Sequence, residues 1–178
     1  MKFTKEKIDG ALSIQIEPRG DERGFFARMF CTDEFKKQGV DFTPVQMNNS
    51  TNTHKGTIRG LHFQTGEHAE AKLFRCIRGS IFSVAVDLRK DSPTYKQWMG
   101  ITLSADERNM VYYPAGCACG YQALEDGAEV IYMVSTPYFP GVEGGIRYND
   151  PQFAIQWPIV SDIIVSDKDS SLPDFVES

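Results

Sequence analysis

The side chains best able to do chemistry in this sequence are two closely spaced cysteines and one histidine. Cys117 and Cys119 are separated by one residue in the segment PAGCACGYQAL, so in a β-strand both thiols would lie on the same face. Thiolates and imidazoles are the usual zinc ligands, but a structural zinc site needs about four of them. The pair could bind a metal, act as a redox couple or fill the core as small apolar side chains.

His62 is the best further candidate for a metal ligand. Alternation along Ile58–Gln64 places its side chain on one face with Gly60 and Gln64, which gives an otherwise apolar segment a polar patch. A metal site on a strand usually takes a second histidine two positions on, and the residue there is Gln64, a poor ligand. We therefore expect no metal site, and we expect the Cys117 thiol to fill the core.

The composition is that of one globular domain spanning residues 1–178, with 41% hydrophobic and 24% charged residues. A net charge of −5 argues against nucleic acid or an anionic membrane surface as a partner. It leaves room for a small anionic ligand, which needs only a few local arginines or lysines. The first ten residues, MKFTKEKIDG, lack the apolar run of a secretion signal, so we expect a cytoplasmic protein.

Most of the sequence is typical of short β-strands separated by turns. The segments richest in β-branched and aromatic residues are Ile58–Gln64, Leu73–Ile77, Ile81–Leu88, Trp98–Leu103, Asn109–Tyr113 and Val130–Ser135. One short helix is predicted over Thr32–Gln38, with Thr32 as its cap and Gly39 after its end. Many short strands with so little helix predict an all-β sandwich or barrel, and the mouth of a barrel is a common ligand site.

A series of motifs in these segments closely resembles the dTDP-4-dehydrorhamnose 3,5-epimerase family. In chain order the motifs are Asp21–Phe26 (DERGFF), Gln46–Ser50 (QMNNS), Arg59–Gln64 (RGLHFQ), Lys72–Gly79 (KLFRCIRG), Phe82–Arg89 (FSVAVDLR), Ser92–Thr94, Pro114–Gly116, Glu129–Tyr132, Asn149–Pro151, Ile155–Pro158 and Ser166–Asp169. They follow the family's order and spacing over nearly the whole chain, which is far more specific than any single motif. The resemblance implies a cupin-type jelly roll, a homodimer and no metal or redox cofactor.

The resemblance also implies a substrate, a nucleotide-linked 4-keto-6-deoxyhexose, and roles for particular residues. His62 resembles the family's general base, Asp169 the carboxylate that orients it, and Tyr132 the general acid. Lys72 resembles the cation beside the C4 oxygen of the sugar. The other matching positions resemble residues with which the family binds its substrate: Arg23, Phe26, Gln46, Asn48, Arg59 and, packed on the base, Tyr138.

These residue types suit the chemistry of such a substrate. The protons on C3 and C5 are both α to the C4 ketone, so removal of either one leaves an enolate. Imidazole has a reference pKa of about 6.5 and can accept such a proton near neutral pH. A cation at the C4 oxygen would stabilise the enolate, and a tyrosine hydroxyl on the opposite face could return the proton with inversion. Arginine forks bind phosphate oxygens, which explains how an acidic protein could bind an anionic ligand.

One position departs from the family's pattern. Where the family usually has a phenylalanine and, two residues later, a histidine of the active site, this chain has Cys117 and Cys119. Cys119 is therefore a candidate substrate contact, although a thiol, with a reference pKa of about 8.5, is a weak hydrogen-bond partner. Three alternatives stay open: epimerisation at C3 and C5, epimerisation at C3 alone on a related sugar nucleotide, and binding of a sugar nucleotide without catalysis.

Overall fold

Two antiparallel sheets packed face to face form the body of the chain in the computed structural model, which describes residues 1–177. The strands are β1 (Lys2–Lys5), β2 (Leu12–Gln15), β3 (Arg19–Asp21), β4 (Gly24–Phe26), β5 (Gln46–Asn52), β6 (Thr57–Gln64), β7 (Lys72–Arg78), β8 (Ser80–Asp87), β9 (Trp98–Ser104), β10 (Asn109–Tyr113), β11 (Cys117–Ala123), β12 (Ala128–Val134), β13 (Glu143–Gly145) and β14 (Ile164–Val165). The helical segments are α1 (Thr32–Lys37), α2 (Asp167–Ser170) and a 3₁₀ turn at Gly66–His68.

In both sheets, many neighbouring strands are far apart in sequence, so the connections between them cross from one sheet to the other. The first sheet runs β1-β2-β10-β7-β12-β5 and the second runs β13-β6-β11-β8-β9, with β14 added parallel to β6. β3 and β4 form a separate two-stranded hairpin outside both sheets. Two packed antiparallel sheets with such crossovers are the architecture of a jelly roll. The predicted fold class, an all-β jelly roll of cupin type with a short N-terminal helix, is confirmed.

The predicted strands are all present, with bounds that differ by no more than two residues from those expected. The predicted helix is α1, but its cap is Cys31, without a side-chain cap hydrogen bond, and Thr32 is already in the first helical turn. The prediction of Thr32 as the cap was therefore wrong. No helix among residues 1–177 is long and apolar enough to cross a membrane.

The core has three layers because side chains pack between the sheets and also over part of the outer face of each sheet. Between the sheets lie Phe74 and the two thiols of Cys117 and Cys119, together with other apolar side chains. The N-terminal segment and α1 cover the outer face of the first sheet, where Phe35 is fully buried. The segment after β13, which includes Trp157, covers the outer face of the second sheet. This double coverage explains why β11 is buried at every position.

The strand register brings most of the predicted site residues to one end of the sandwich. In the first sheet, Tyr132 of β12 lies opposite Asn48 of β5, and Lys72 begins β7, the neighbour of β12 on its other side. In the second sheet, His62 of β6 lies opposite Cys119 of β11. Because β6 and β12 belong to different sheets, His62 and Tyr132 line the same cavity from opposite walls.

A buried charge network stabilises the turn after β8. Asp87 is fully buried and accepts hydrogen bonds from Arg89 Nη2 at 2.8 Å and Thr94 Oγ1 at 2.7 Å, and also from Ser92. Burial alone would raise the pKa of Asp87, but these hydrogen bonds outweigh it and lower the pKa from 3.8 to about 2. The FSVAVDLR and SPT motifs therefore meet in a structural ion pair.

The pH dependence of stability should report this carboxylate. Its pKa is lower in the folded chain, so its contribution is present above the unfolded value of 3.8 and is lost as pH falls through the folded value of about 2. A shift of this size is equivalent to about 2 kcal/mol. We expect Asp87→Asn to lower the free energy of unfolding by about that amount at pH 7. In urea titrations, the gap between wild type and variant should narrow from about pH 4 to about pH 2. A constant gap would contradict this role.

Candidate active site

One end of the sandwich opens into a cavity of about 760 Å³ between the two sheets. Its lining includes Gln46, Asn48, His62, Gln64, Glu70, Lys72, Tyr132, Tyr138, Glu143, Lys168 and Leu172. A second cavity of about 390 Å³ adjoins it and shares His62, Lys72 and Tyr132 with it. The further lining residues of this second cavity include Arg59, Cys119 and Asp169. Cavities of this size, with a few convergent polar groups, are typical of small-molecule sites.

His62 and Asp169 form a hydrogen-bonded pair in this cavity. The Nε2 atom of His62 is 2.7 Å from Oδ1 of Asp169, and the imidazole is 41% exposed whereas the carboxylate is 8% exposed. Burial alone would raise the pKa of Asp169, but hydrogen bonds from His62 and the Gly60 N–H outweigh it and lower the pKa. The carboxylate is therefore ionised at neutral pH. It favours the proton on Nε2, which leaves Nδ1 as the ring nitrogen that can accept a proton.

Backbone groups hold the carboxylate of this pair in place. The N–H of Gly60 donates to Oδ2 of Asp169 at 2.9 Å, and the N–H of Asp169 donates to the Ser166 hydroxyl at 3.1 Å at the start of α2. Gly60 has a φ of +113°, and a Cβ there would lie 2.8 Å from the carbonyl oxygen of Cys119. Only glycine allows β6 and β11 to approach so closely, so the glycine two residues before His62 shapes this wall of the cavity.

Lys72 is a buried ammonium group at the first residue of β7. Its Nζ atom lies 3.0 Å from Oε1 of Glu70 and donates to the backbone carbonyl of His62 at 3.2 Å. The same residue lines both cavities. The structure therefore places a positive charge next to the His62 backbone, inside the space that a ligand would occupy.

Tyr132 lies on the opposite wall of the cavity from His62. Its ring stacks on Phe74 with the centroids 5.2 Å apart and the planes 25° from parallel, which fixes the ring against the first sheet. Burial raises the pKa of the Tyr132 hydroxyl, while the charge of Lys72 opposes the shift. The hydroxyl is therefore protonated at neutral pH and can serve as a proton donor.

Gln46, Asn48 and Tyr138 lie together at the outer part of the cavity. The Gln46 side chain donates to Oδ1 of Asn48 at 2.8 Å and accepts from the Tyr138 backbone N–H at 3.1 Å. The Tyr138 hydroxyl donates to the carboxylate of Glu143, and its ring is exposed at the cavity mouth. This arrangement presents amide groups and an aromatic face to a ligand entering from outside.

Arg59 extends the polar lining into the second cavity. Its Nε atom donates to Oδ1 of Asn52 at 2.9 Å, and Nη2 donates to the carbonyl of Thr51 at 3.2 Å. Asn52 is buried, so it holds the guanidinium at a fixed position next to β5. The remaining N–H groups of Arg59 can donate to phosphate oxygens.

Both thiols of β11 are buried and neutral. Burial raises the pKa of Cys119 to about 12, with Lys72 opposing and Glu70 adding to the shift. Burial also raises the pKa of Cys117, which lies in the core as expected. Among residues 1–177, no group of three or more histidine, cysteine, aspartate or glutamate side chains is arranged to hold a metal ion. Within residues 1–177, the two cysteines therefore lack the further ligands that a metal site would need.

Comparison with known proteins assigns the chain to a family. A sequence profile of the dTDP-4-dehydrorhamnose 3,5-epimerases matches residues 5–177. An epimerase of this name from Methanothermobacter thermautotrophicus is 44% identical over 170 residues, which are 94% of this chain and 91% of the relative. The chain belongs to the dTDP-4-dehydrorhamnose 3,5-epimerase family. It is therefore an isomerase by relationship, and the resemblance of its sequence motifs is confirmed.

Solved structures of epimerases extend the similarity to the fold. A dTDP-4-dehydrorhamnose 3,5-epimerase from Bacillus anthracis, with TDP and PPi bound, matches with a TM-score of 0.93 at 40% identity, over 98% of this chain and 99% of that chain. A 3'-monoepimerase from Streptomyces bikiniensis, in complex with dTDP-quinovose, matches with a TM-score of 0.85 at 32% identity, over 95% and 85% of the two chains. The epimerase fold thus spans nearly the whole chain.

Two residues that the epimerase resemblance assigns to substrate binding, Arg23 and Phe26, lie outside this cavity. They belong to the β3–β4 hairpin, whose residues are all exposed. The Arg23 guanidinium is paired with Asp21 at 2.6 Å, and the Phe26 ring is exposed to solvent. Within one chain, the structure does not bring these side chains together with His62.

Other residues of the epimerase cavity were missed by the sequence analysis. Gln64 is buried and joins several segments, whereas alternation predicts only that it shares the polar face of His62. Glu70, Glu143 and Lys168 also line the cavity. Their positions in turns or short elements carry no periodic signal, so only the tertiary structure shows that they face the site.

Proposed function

We propose that this epimerase converts dTDP-4-dehydro-6-deoxyglucose to dTDP-4-dehydrorhamnose by inversion at C3 and C5, in deoxysugar and polysaccharide biosynthesis. The observation that carries the proposal is the His62–Asp169 pair on one wall of the cavity with Tyr132 on the other. Inversion at a carbon requires a base on one face and an acid on the opposite face. The family membership and the nucleotide ligands of related epimerases support the choice of substrate.

In this proposal, His62 removes the proton from the carbon next to the C4 ketone. Asp169 keeps the imidazole in the right tautomer and stabilises the imidazolium that forms. The Lys72 ammonium meets the negative charge that develops on the C4 oxygen, where a preorganised charge contributes most to the rate. Tyr132, kept protonated by its burial, returns a proton to the opposite face. Proton exchange with solvent then returns His62 to the neutral imidazole and Tyr132 to the phenol, and the same steps at the second α-carbon complete the reaction.

The remaining polar groups suit the nucleotide part of the substrate. Arg59 offers a held guanidinium for the pyrophosphate, and Gln46 and Asn48 offer amide groups for the nucleoside. Tyr138 offers an exposed aromatic face for the base at the cavity mouth. These contacts lie away from the reacting carbons, so we assign them to binding rather than to proton transfer.

The test of this function follows the substrate by proton NMR in ordinary water. The purified protein is expected to convert dTDP-4-dehydro-6-deoxyglucose to the 4-dehydrorhamnose isomer without any added metal or redox cofactor. Addition of dTDP should inhibit the reaction competitively, since it would occupy the same nucleotide contacts. A substrate spectrum that does not change over hours, at a protein concentration that binds dTDP, would leave binding without catalysis as the better account.

Cys119 favours a second candidate, epimerisation at C3 alone. Its neutral thiol lines the cavity beside His62 and Lys72, at the position where the family usually has a histidine. A 3'-monoepimerase is also among the similar structures. Loss of one imidazole donor would weaken the binding of one of the two enolates more than the other. We expect inversion at both carbons, and the substitution that follows tests this.

Replacing Cys119 with histidine should leave the positions of inversion unchanged if both carbons already react in the wild type. We expect Cys119→His to keep inversion at C3 and C5, with a rate within about tenfold of wild type. Cys117→Ala, on the same strand but in the core, is the matched control. Gain of C5 inversion only in Cys119→His, seen by NMR of the product, would establish the monoepimerase instead.

We also propose that the protein is a homodimer in which each β3–β4 hairpin reaches the cavity of the other subunit. The hairpin carries Arg23 and the exposed Phe26 away from the cavity of its own chain. On the outer face of the first sheet, Met47 is exposed, and Nε and Nη1 of Arg75 are buried without a hydrogen-bond partner among residues 1–177. A second copy on this face would cover the apolar surface and supply acceptors for Arg75.

Disruption of this face should produce an inactive monomer. We expect the wild type to have twice the mass of the chain by light scattering, and Met47→Glu to have the mass of one chain because it buries a charge in the interface. The variant should also lose substrate affinity, since the partner's hairpin would be absent. Val160→Glu, at an exposed position on the opposite side, is the control. A monomeric wild type with full activity would refute the dimer.

A further inference from the structure

A largely buried carboxylate outside the predicted set, Glu70, lies beside Lys72 at the start of β7. Its Oε1 atom is 3.0 Å from the Lys72 Nζ, and the two side chains are 11% and 8% exposed. Both line the cavity that contains His62 and Tyr132. We propose that Glu70 is a positioning residue for the epimerisation, which holds the Lys72 ammonium at the place where the C4 oxygen becomes negative. This inference rests on the proposed function.

The contacts of Lys72 explain why Glu70 determines its position. An ammonium group has three N–H donors. One donor points to the backbone carbonyl of His62 at 3.2 Å, and the ammonium forms an ion pair with Glu70 at 3.0 Å. These two contacts, on different sides of the cavity lining, hold the ammonium in one place. The cation is in this way tied to the backbone of the general base itself, so its distance from the reacting carbons is fixed along with that of His62.

Glu70 is itself held by Gln64. The Nε2 atom of Gln64 donates to Oε2 of Glu70 at 3.0 Å, and its Oε1 accepts from the backbone N–H of Phe139 at 2.7 Å. Nε2 also contacts the carbonyl of Pro137 at 3.2 Å. One carboxylate oxygen therefore contacts the ammonium and the other contacts a buried amide, which leaves Glu70 little freedom to turn toward solvent. A reacting site gains most from charges whose positions are fixed before the reaction.

The charge of Glu70 matters as well as its position. A buried ammonium without a partner is unfavourable, and removal of one member of a buried pair leaves the other uncompensated. Glu70→Gln keeps the shape of the side chain but removes its charge, so the ion pair with Lys72 is lost. We expect this variant to lower kcat by about tenfold and to leave KM within about twofold, because the nucleotide contacts are elsewhere.

A double-substitution cycle on the active dimer tests whether Glu70 acts through Lys72. The rate of deuterium exchange at C3 is measured for wild type, Glu70→Gln, Lys72→Met and the double variant. The loss caused by Glu70→Gln should be about tenfold in the wild type and absent in the Lys72→Met background. Glu70→Asp, which keeps the charge, should recover part of the rate. Glu67→Gln, at an exposed position in the preceding 3₁₀ turn, should have no effect.

The possible outcomes separate the inference from the proposed function. Equal losses in both backgrounds, or a Glu70→Gln enzyme as fast as wild type, would overturn the positioning role of Glu70. A wild-type protein that exchanges no deuterium would overturn the proposed function, and the inference with it. Affinity for dTDP and the thermal midpoint are measured for each variant, and a variant with a lowered dTDP affinity but unchanged exchange at saturation would also count against the role of Glu70.

Discussion

Replacing His62 with asparagine is expected to lower kcat by about 10²- to 10⁴-fold, the range that a positioned general base supplies. The imidazole is the group beside the ionised Asp169 that can accept a proton, and asparagine cannot do so at neutral pH. Asparagine retains a polar group of similar reach, so the buried carboxylate keeps a hydrogen-bond donor. In deuterated water the variant should take up no label at C3 or C5 within the time of many wild-type turnovers.

The control for this loss is His54→Asn. His54 lies in the exposed turn before β6, outside the residues that line either cavity. It should have wild-type rates, and both variants should bind dTDP with wild-type affinity. A His62→Asn enzyme that turns over within tenfold of wild type would mean that another group removes the proton.

Tyr132→Phe is expected to separate proton removal from inversion. The variant keeps the ring that stacks on Phe74 but lacks the hydroxyl on the wall opposite His62. His62 can still form the enolate and return a proton to the face from which it came. We therefore expect deuterium in unconverted substrate of retained configuration, while formation of the inverted product falls by about 10²- to 10⁴-fold.

Tyr112→Phe is the matched control for the hydroxyl. Tyr112 is buried in the cluster between the first sheet and α1, away from the cavity. It should be active, with label in the inverted product. Normal inversion by Tyr132→Phe would show that water or another side chain delivers the second proton, and absence of exchange in this variant would show that Tyr132 acts in the first step.

The strands and the shared faces of the site were predictable from sequence because they depend on local alternation. Leu61 and Phe63 pack in the outer cluster of the second sheet, and His62 points to the cavity, as the period of two requires. β5 escaped prediction because its sequence, QMNNSTN, is polar and lacks the β-branched residues typical of strands. It is nevertheless an edge strand of the first sheet, paired along its length with β12.

Contacts between distant residues of the site were predictable only where the sequence motifs of the family include both residues. The contact between His62 and Asp169 joins residues far apart in sequence, and no periodicity connects them. The resemblance supplied this pair, whereas the contact between Glu70 and Lys72 had no such source and needed the tertiary structure. The separation of Arg23 from the cavity could not be predicted either, since alternation does not say where a hairpin outside both sheets lies relative to them.

The burial of the two β11 cysteines distinguishes between the metal, redox and core interpretations of their spacing. Alternation correctly placed both thiols on one face, but it gave no information about solvent or neighbouring ligands. The structure buries both, raises the pKa of each, and leaves Cys119 at the edge of the cavity beside Lys72. The pair is therefore part of the core, with Cys119 also available as a neutral contact to substrate.

In the proposed mechanism, His62 and Tyr132 invert the sugar by removing and returning protons on opposite faces. Incubation of the wild-type protein with dTDP-4-dehydro-6-deoxyglucose in deuterated water, followed by NMR of the product, tests it most directly. We expect an inverted product with deuterium at both C3 and C5. An inverted product that retains the original hydrogen at either inverted carbon, or a protein that binds dTDP and incorporates no deuterium, would contradict it.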